Sequence, residues 1–169
     1  MNVMEAIKKR RSIRSYKSKD VPEDVLRRVL DAARLAPSAR NRQEWRFVVV
    51  RDAATREKLA GAAKGQSFVA SAPVVLAFCA TEGNDVMACG QTTGSVDTSI
   101  ALSYLTLAAV EEGLGTCWLG AFYEDQVKQI LKVPAHARVV ALSPLGYPAE
   151  HPAARGRKDF EEVVSFESW

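Results

Sequence analysis

The sequence predicts an α+β fold in which a sheet carries helices on its faces. Residues 73–79 form an apolar run that hardly alternates with polar residues, which indicates a strand buried on both faces. Residues 91–112 are apolar nearly all round at helical spacing, which is typical of a central helix or of one in a subunit interface. Strands are mixed with helices without a regular βαβ alternation, and that order favours the α+β class.

Four elements are predicted before the buried strand. A short helix covers residues 3–10. Val21-Pro22-Glu23-Asp24 marks a second helix start, because proline suits the first turn and acidic side chains suit the positive end of the helix dipole. Pro37 ends that helix. A strand over 47–50 and a helix over 54–63 follow.

The C-terminal half continues the mixed pattern. Gly113 and Gly115 end the long helix. The elements predicted after them are a strand over 116–120, a helix over 123–132, a strand over 139–142 and, from weak alternation, an edge strand over 161–166.

Size and composition indicate a soluble globular protein. The 169 residues are 47% hydrophobic and 25% charged, and we expect one domain over residues 1–169. No stretch approaches the roughly 20 apolar residues of a membrane span. The first residues lack the apolar core of a signal peptide. We therefore expect a cytoplasmic protein with no membrane partner.

The cysteines and histidines give little support for a metal site. Cys79, Cys89 and Cys117 are odd in number and widely spaced, and the only histidines are His136 and His151. We expect no bound metal, and we expect the cysteines to be reduced thiols in or near the core.

Positive charge is concentrated near the start of the chain. Residues 1–51 contain 14 Lys or Arg and 6 Asp or Glu, whereas the net charge of the whole chain is only +3. The basic residues cluster at 8–19 and 40–46. Such clusters attract nucleic acid, a membrane surface or a phosphorylated small molecule.

The run Arg10-Arg11-Ser12-Ile13-Arg14 is the strongest candidate anion site. Its three guanidinium groups and one hydroxyl offer many donors suited to phosphate oxygens. A second basic cluster, Arg155-Gly156-Arg157-Lys158, lies near the other end of the chain. If the fold joins the two clusters, they form one anion pocket.

Two further segments have the chemistry to hold a flat heterocycle. The loop 37–45 offers Ser38, Asn41 and Gln43, whose mixed donors and acceptors suit a ring edge with C=O and N–H groups. An ordinary polar loop around a buried Trp45 explains it equally. In 118–121 small residues allow close approach of a ligand to the backbone, although a tight turn is the simpler explanation.

Several common catalytic motifs are missing from the sequence. It contains no G-x-G-x-x-G where a dinucleotide-binding unit needs it, no Walker A loop and no convincing Ser-His-Asp set. If the protein is an enzyme, we expect a cofactor to supply the difficult chemistry.

Taken in order, these segments resemble the nitroreductase family of flavin enzymes over essentially the whole chain. The matching segments are Arg10-Arg11-Ser12-Ile13-Arg14, Pro37-Ser38-x-x-Asn41-x-Gln43-x-Trp45, Gly115-Thr116-Cys117-Trp118-Leu119-Gly120-Ala121, Gly146-Tyr147-Pro148, and Arg155-x-Arg157 before Glu161-Glu162-Val163-Val164.

The resemblance implies a mixed, mostly antiparallel sheet in an intertwined homodimer that exchanges its C-terminal strands and binds FMN between the subunits. For the phosphate and ribityl chain the implied cofactor-binding residues are Arg10, Arg11, Ser12, Arg14, Arg155 and Arg157. Pro37, Ser38, Ala39 and Asn41 would come from the partner subunit, and Gln66 would contact the pyrimidine edge. The backbone around Gly120 and Ala121 would face flavin N5, and Gln43 and Leu119 are further implied cofactor-binding residues.

The resemblance also implies a ping-pong reaction. NADH or NADPH passes hydride to FMN N5, and a nitroaromatic, quinone or similar small acceptor then enters the same site. No acid–base side chain is obligatory in this scheme, and no metal is needed.

Two departures from the family pattern matter. Ala39 and Glu44 stand where the family often has Ser and Pro. The short stretch from Cys79 to Asp97 leaves little room for extra helices, and we expect a more open site.

Two other functions fit parts of the sequence. A non-enzymatic flavin or nucleotide carrier would need the same pocket. A nucleic-acid-binding module would use residues 8–46, but the basic cluster lacks interleaved aromatics and no reader motif is present.

Overall fold

The computed structural model describes residues 1–82 and 85–169. These residues contain seven helices and four strands. In chain order they are α1 (Val3–Lys9), α2 (Glu23–Arg34), a 3₁₀ turn (Ala39–Asn41), β1 (Trp45–Val50), α3 (Ala53–Ala62), α4 (Phe68–Ser71), β2 (Val74–Ala80), α5 (Thr93–Glu111), β3 (Gly115–Thr116), α6 (Glu124–Leu131), β4 (Arg138–Gly146) and α7 (Phe160–Val163).

The strands form one antiparallel sheet in the order β1-β2-β4-β3, flanked by helices. Every residue of β2 is buried, which confirms the prediction from its unbroken apolar run. Phe47 of β1 lies opposite Phe78 of β2, with ring centroids 4.9 Å apart. The predicted α+β class is confirmed.

Each face of the sheet has its own apolar core. Leu76 and Phe78 of β2 pack on one face with residues of α2 and α5, among them Val29 and Leu105. Val75 and its alternate neighbours pack on the other face with residues of α3, α4 and α6. The strand alternates between the two cores because successive side chains point to opposite faces.

The segment that follows α1 adds to the sheet at the β3 edge. The Ile13 N–H donates to the Thr116 carbonyl at 2.9 Å, and Ser12 forms a parallel bridge with Thr116. Tyr16 forms an antiparallel bridge with Pro148, just beyond the end of β4. The basic run at 10–14 is therefore fixed beside two neighbouring strands.

Several element boundaries differ from the prediction. The predicted strand 116–120 is reduced to Gly115–Thr116, and Leu119 pairs separately with Leu142. The prediction did not include α4, and β4 continues to Gly146.

The prediction of an edge strand over 161–166 is wrong. Residues Phe160–Val163 form α7, and no strand is found after them in the described chain. The helix starts at this point because the Glu162 carboxylate accepts from the Asp159 N–H at 2.9 Å, which completes a capping box.

The cysteine prediction holds for two of the three thiols. Cys79 and Cys117 are buried and unpaired, whereas Cys89 is exposed. Burial raises the pKa of Cys79 to about 11, so its thiol stays protonated at neutral pH. Within the described residues no helix has both the length and the apolar character to cross a membrane.

Glu124 at the start of α6 ties this helix to β4. Its carboxylate accepts from Arg138 Nε at 2.9 Å and from the Val139 N–H at 2.8 Å. Partial burial raises the pKa of Glu124, but these hydrogen bonds outweigh it, and the pKa lies below its ordinary value of 4.5.

We expect acid to remove the stabilisation that Glu124 supplies. Since its pKa is lower in the folded chain than in the unfolded one, the contribution is complete above pH 4.5 and is lost as the pH falls through the folded value. The Tm difference between wild type and Glu124→Gln should therefore shrink between about pH 7 and pH 3. The exposed Glu57→Gln variant is the control, and a Tm difference for Glu124→Gln that does not change with pH contradicts the assignment.

Candidate active site

A cleft of about 660 Å³ lies between the basic run at 10–14 and the segment 150–157. The structure thus brings the two basic clusters of the sequence together. The polar side chains that line the cleft are Lys8, Arg10, Arg11, Ser12, Arg14, Glu150, Arg155 and Arg157.

Local structure fixes one wall of the cleft. A capping box between Asn2 and Glu5 begins α1, and the helix ends at Lys9, so the chain is extended where it enters the arginine run. The buried Ile13 then anchors that run against β3. The side chain of Gly115 is limited to hydrogen, because an added Cβ would lie 2.6 Å from Ile13 Cγ1.

The cleft carries a large excess of positive charge. Among the described residues, none of its five arginines forms an ion pair, and Glu150 is the only acidic residue of its lining. Arg11 Nη1 donates to the Lys8 and Arg10 carbonyls, but its buried Nε finds no acceptor in the described chain. A buried donor without an acceptor is unfavourable, so this site suits an anion.

Two weakly acidic groups close to the arginine run stay protonated at neutral pH. Burial raises the pKa of the Cys117 thiol, and nearby Arg14, Ser12 and Arg10 offset only part of that effect. Burial, with smaller effects of Cys117 and Glu150, raises the pKa of Tyr16 well above its usual range. The Tyr16 hydroxyl donates to the Ile13 carbonyl at 2.6 Å, so Tyr16 supports the arginine run and has no free proton to exchange.

Gln66 and the 119–121 segment meet in a second region. Gln66 Nε2 donates to the Ala63 carbonyl at 2.8 Å and to the Ala121 carbonyl at 3.2 Å. Leu119 is held by two backbone hydrogen bonds to Leu142. An added Cβ at Gly120 would meet nothing within 4 Å in the described chain, so packing within the subunit does not require glycine there.

The two regions are neighbours. The Arg14 guanidinium lies over the Phe68 ring, 5.9 Å from its centroid, and Phe68 follows Gln66 by two residues. The segment 66–68 therefore links the two regions, because Phe68 contacts Arg14 and Gln66 contacts Ala121.

The loop at 37–43 is elsewhere on the subunit and does not line the cleft. Arg40, Asn41 and Gln43 all have φ between 54° and 56°, a backbone region that side chains other than glycine seldom adopt. Ser38 Oγ accepts from the Gln43 N–H at 3.0 Å, and the buried Asp97 of α5 accepts from the Ala39 N–H at 3.0 Å. The loop is thus fixed on α5 in an unusual shape.

Glu44 has a partner that the sequence did not reveal. Its carboxylate lies 2.6 Å from Arg42, which also pairs with Asp85. The positive charge of residues 40–46 is therefore partly neutralised, and the loop is connected to the segment before α5. Residues 83 and 84 of the Cys79–Asp97 stretch lie outside the described residues, and the predicted open site stays a prediction.

Three residues of these regions were missed by the sequence analysis, namely Lys8, Glu150 and Asp97. Lys8 is next to the arginine run, and Glu150 follows the Gly146-Tyr147-Pro148 turn by two residues, so their positions in the motifs were the available signal. Asp97 had the signal of a carboxylate within an apolar helix.

The chemistry of these groups suits a ligand with an anionic end and a flat body. The cleft supplies cations, and the region of Gln66 and Ala121 supplies amide and backbone groups. In the described part of the chain, no three His, Cys, Asp or Glu side chains lie close enough together to hold a metal ion.

Comparisons with known proteins agree with this arrangement. The sequence profile of the Nitroreductase family matches residues 7–93 and 62–147. The NADH dehydrogenase of Thermus thermophilus is 39% identical, with 92% of this chain and 91% of that protein covered.

Two solved structures share the fold over at least 98% of the chain. An FMN-dependent nitroreductase from Clostridium difficile superposes with a TM-score of 0.86 at 32% identity, covering 98% of this chain and 99% of that one. The NADPH:FMN oxidoreductase of Vibrio harveyi, complexed with NAD+, has a TM-score of 0.89 at 28% identity, covering 100% of this chain and 78% of that one.

Proposed function

The chain belongs to the nitroreductase family, and from this premise we propose that it is an FMN-dependent NAD(P)H oxidoreductase. The observation that carries the proposal is the cleft of five arginines, which form no ion pair among the described residues. One of them, Arg11, has a buried donor without an acceptor in the same part of the chain. The names of the related Vibrio and Clostridium proteins support FMN as the ligand.

The cleft residues would bind the phosphate and ribityl chain of FMN. Arg10, Arg11, Arg14, Arg155 and Arg157 present guanidinium donors, and Ser12 adds a hydroxyl. Gln66 would contact the pyrimidine edge, and Leu119, Gly120 and Ala121 would lie beside the reactive edge of the ring. We treat residues 1–169 as a single FMN-binding domain, and a cytoplasmic location stays a prediction.

We propose that a second copy of the chain completes the site. The loop residues Pro37, Ser38, Ala39, Asn41 and Gln43 would come from that copy, since they lie away from the cleft of their own subunit. The C-terminal tail supports a homodimer, because Phe160, Val163, Phe166 and Trp169 are each more than 60% exposed.

Bound FMN would supply the hydride chemistry, and this chain would supply binding and orientation. NAD(P)H would bind and leave before a nitroaromatic, quinone or similar small acceptor enters the same site. The protein groups beside the ring are backbone and amide groups, so no side chain is needed as an acid or base. Lys8 and the five arginines line a cleft, and a concave basic site favours a small anion over nucleic acid.

The test is made on purified protein. We expect a yellow protein that releases FMN on heating and whose flavin absorbance bleaches rapidly on anaerobic mixing with NADH or NADPH. Bound FMN that does not bleach would favour the non-enzymatic carrier. A colourless protein that cannot be reconstituted with FMN would overturn the proposal, and salt-dependent DNA retention by such a protein would favour the nucleic-acid-binding module.

Replacing Gly120 with valine is expected to slow the reduction of the flavin without changing the stability of the protein. Because an added Cβ has open space in the described subunit, Tm should change by no more than about 2 °C, the shift that corresponds to roughly 0.5 kcal/mol. The branched side chain would crowd the ring, and the rate of flavin reduction by NAD(P)H should fall at least about tenfold. Stopped-flow absorbance measures the rate, and an unchanged rate contradicts the assignment of this segment.

A further inference from the structure

Glu150 ends a short backbone ladder that joins the two walls of the cleft. The Lys17 N–H donates to the Tyr147 carbonyl at 2.8 Å, and the Ala149 N–H donates to the Ser15 carbonyl at 2.9 Å. The Glu150 carboxylate adds the last contact of this ladder, because its Oε1 accepts from the backbone N–H of Arg14.

The segment 151–158, which follows Glu150, is not hydrogen-bonded to the rest of the described subunit. Among the described residues, none in 151–158 forms a hydrogen bond or ion pair with another part of the chain. This segment nevertheless carries Arg155 and Arg157, whose side chains line the cleft. The Glu150 contact is therefore the last fixed point before these arginines.

An acidic residue is electrostatically unfavourable in a site for phosphate. Each negative charge in the lining weakens the attraction that the arginines exert on an anion. The contact of Glu150 with a backbone N–H indicates a geometric role, since the carboxylate pairs with no guanidinium group of the described residues.

We propose that Glu150 is a positioning residue, which holds the 150–157 segment against Arg14 so that both arginine clusters face one phosphate. This inference rests on the proposed function, since the phosphate is that of FMN. It requires the length of the Glu150 side chain and its oxygen acceptor, and it does not require the negative charge.

Three substitutions of Glu150 distinguish the role of its side-chain length from that of its charge. Glu150→Gln keeps the length and an oxygen acceptor, Glu150→Asp keeps the charge on a shorter chain, and Glu150→Ala removes both. We expect Glu150→Ala and Glu150→Asp to raise the Kd for FMN about tenfold, the effect of losing one hydrogen bond. Glu150→Gln should stay within about threefold of wild type.

The experiment is a fluorescence titration of the full-length apoprotein with FMN and, separately, with riboflavin, which lacks the phosphate. Because Glu150 acts through the phosphate site, the Kd for riboflavin should not change in any variant. The exposed Glu57→Ala variant controls for the loss of one negative charge, and a thermal melt of each variant reports whether it folds.

Three results would overturn the role proposed for Glu150. An unchanged Kd for FMN in Glu150→Asp, an equal loss for FMN and riboflavin, or a Glu150→Gln variant as weak as Glu150→Asp would overturn the inference. If Glu150→Ala does not fold, the comparison of Glu150→Asp with Glu150→Gln decides alone. A wild-type protein that binds neither flavin instead overturns the proposed function.

Discussion

Replacing Arg14 with alanine is expected to raise the dissociation constant for FMN by roughly ten- to a hundredfold. A hydrogen bond to a charged group contributes about 1.5–3 kcal/mol, which corresponds to that range of affinity. Arg14 lines the cleft without an ion pair in the described chain, and its guanidinium lies over Phe68, so it is both unneutralised and held in place.

A matched substitution controls for the loss of charge. Arg27 of α2 is exposed and forms no hydrogen bond through its side chain among the described residues, so Arg27→Ala should leave FMN affinity unchanged. Equilibrium dialysis or flavin fluorescence measures both variants. Equal affinities for Arg14→Ala and Arg27→Ala would mean that the phosphate lies elsewhere.

Replacing Gly146 with alanine is expected to destabilise the protein by about 1–3 kcal/mol, the usual range for overpacking a core. An added Cβ would lie 2.5 Å from Cδ of Pro73 and 3.2 Å from Cδ1 of Tyr16. The proline ring cannot rotate away, so the end of β4 must move. For a chain of this size the loss lowers Tm by roughly 2–12 °C.

Replacing Gly61 with alanine should stabilise the protein, the opposite of the effect expected at Gly146. Gly61 is inside α3, and an added Cβ there meets nothing within 4 Å in the described chain. Alanine is favoured over glycine in a helix by about 0.5–1 kcal/mol, so Gly61→Ala should raise Tm slightly. Thermal melts of the two variants give the comparison, and a destabilised Gly61→Ala variant contradicts the packing described for α3.

Most of the fold was predictable because its signals are local. The unbroken apolar run of β2, the proline and acidic residues that begin α2 and the glycines after α5 each fix an element through nearby residues. The edge strand predicted over 161–166 failed because weak alternation competes with a capping box that Asp159 and Glu162 form across three residues.

The sequence predicted most of the residues that form the site, but it did not predict how they meet in space. The arginine clusters are evident in the sequence, but their meeting depends on contacts between residues more than 100 positions apart, such as Arg14 with Glu150. Sequence patterns do not report such pairs. For the same reason the sequence shows a carboxylate within the apolar helix α5 but not its contact with the Ala39 N–H.

The mutual repulsion of the cleft arginines makes the stability of the folded protein depend on the concentration of an anion that binds there. Five like charges that form no ion pair within residues 1–82 and 85–169 raise the free energy of the folded chain, and any anion that enters the cleft lowers it again. Since a ligand that binds only the folded state stabilises it by mass action, resistance to heat and to proteases should follow the concentration of that anion. The abundance of the folded protein is then set by ligand supply as well as by synthesis.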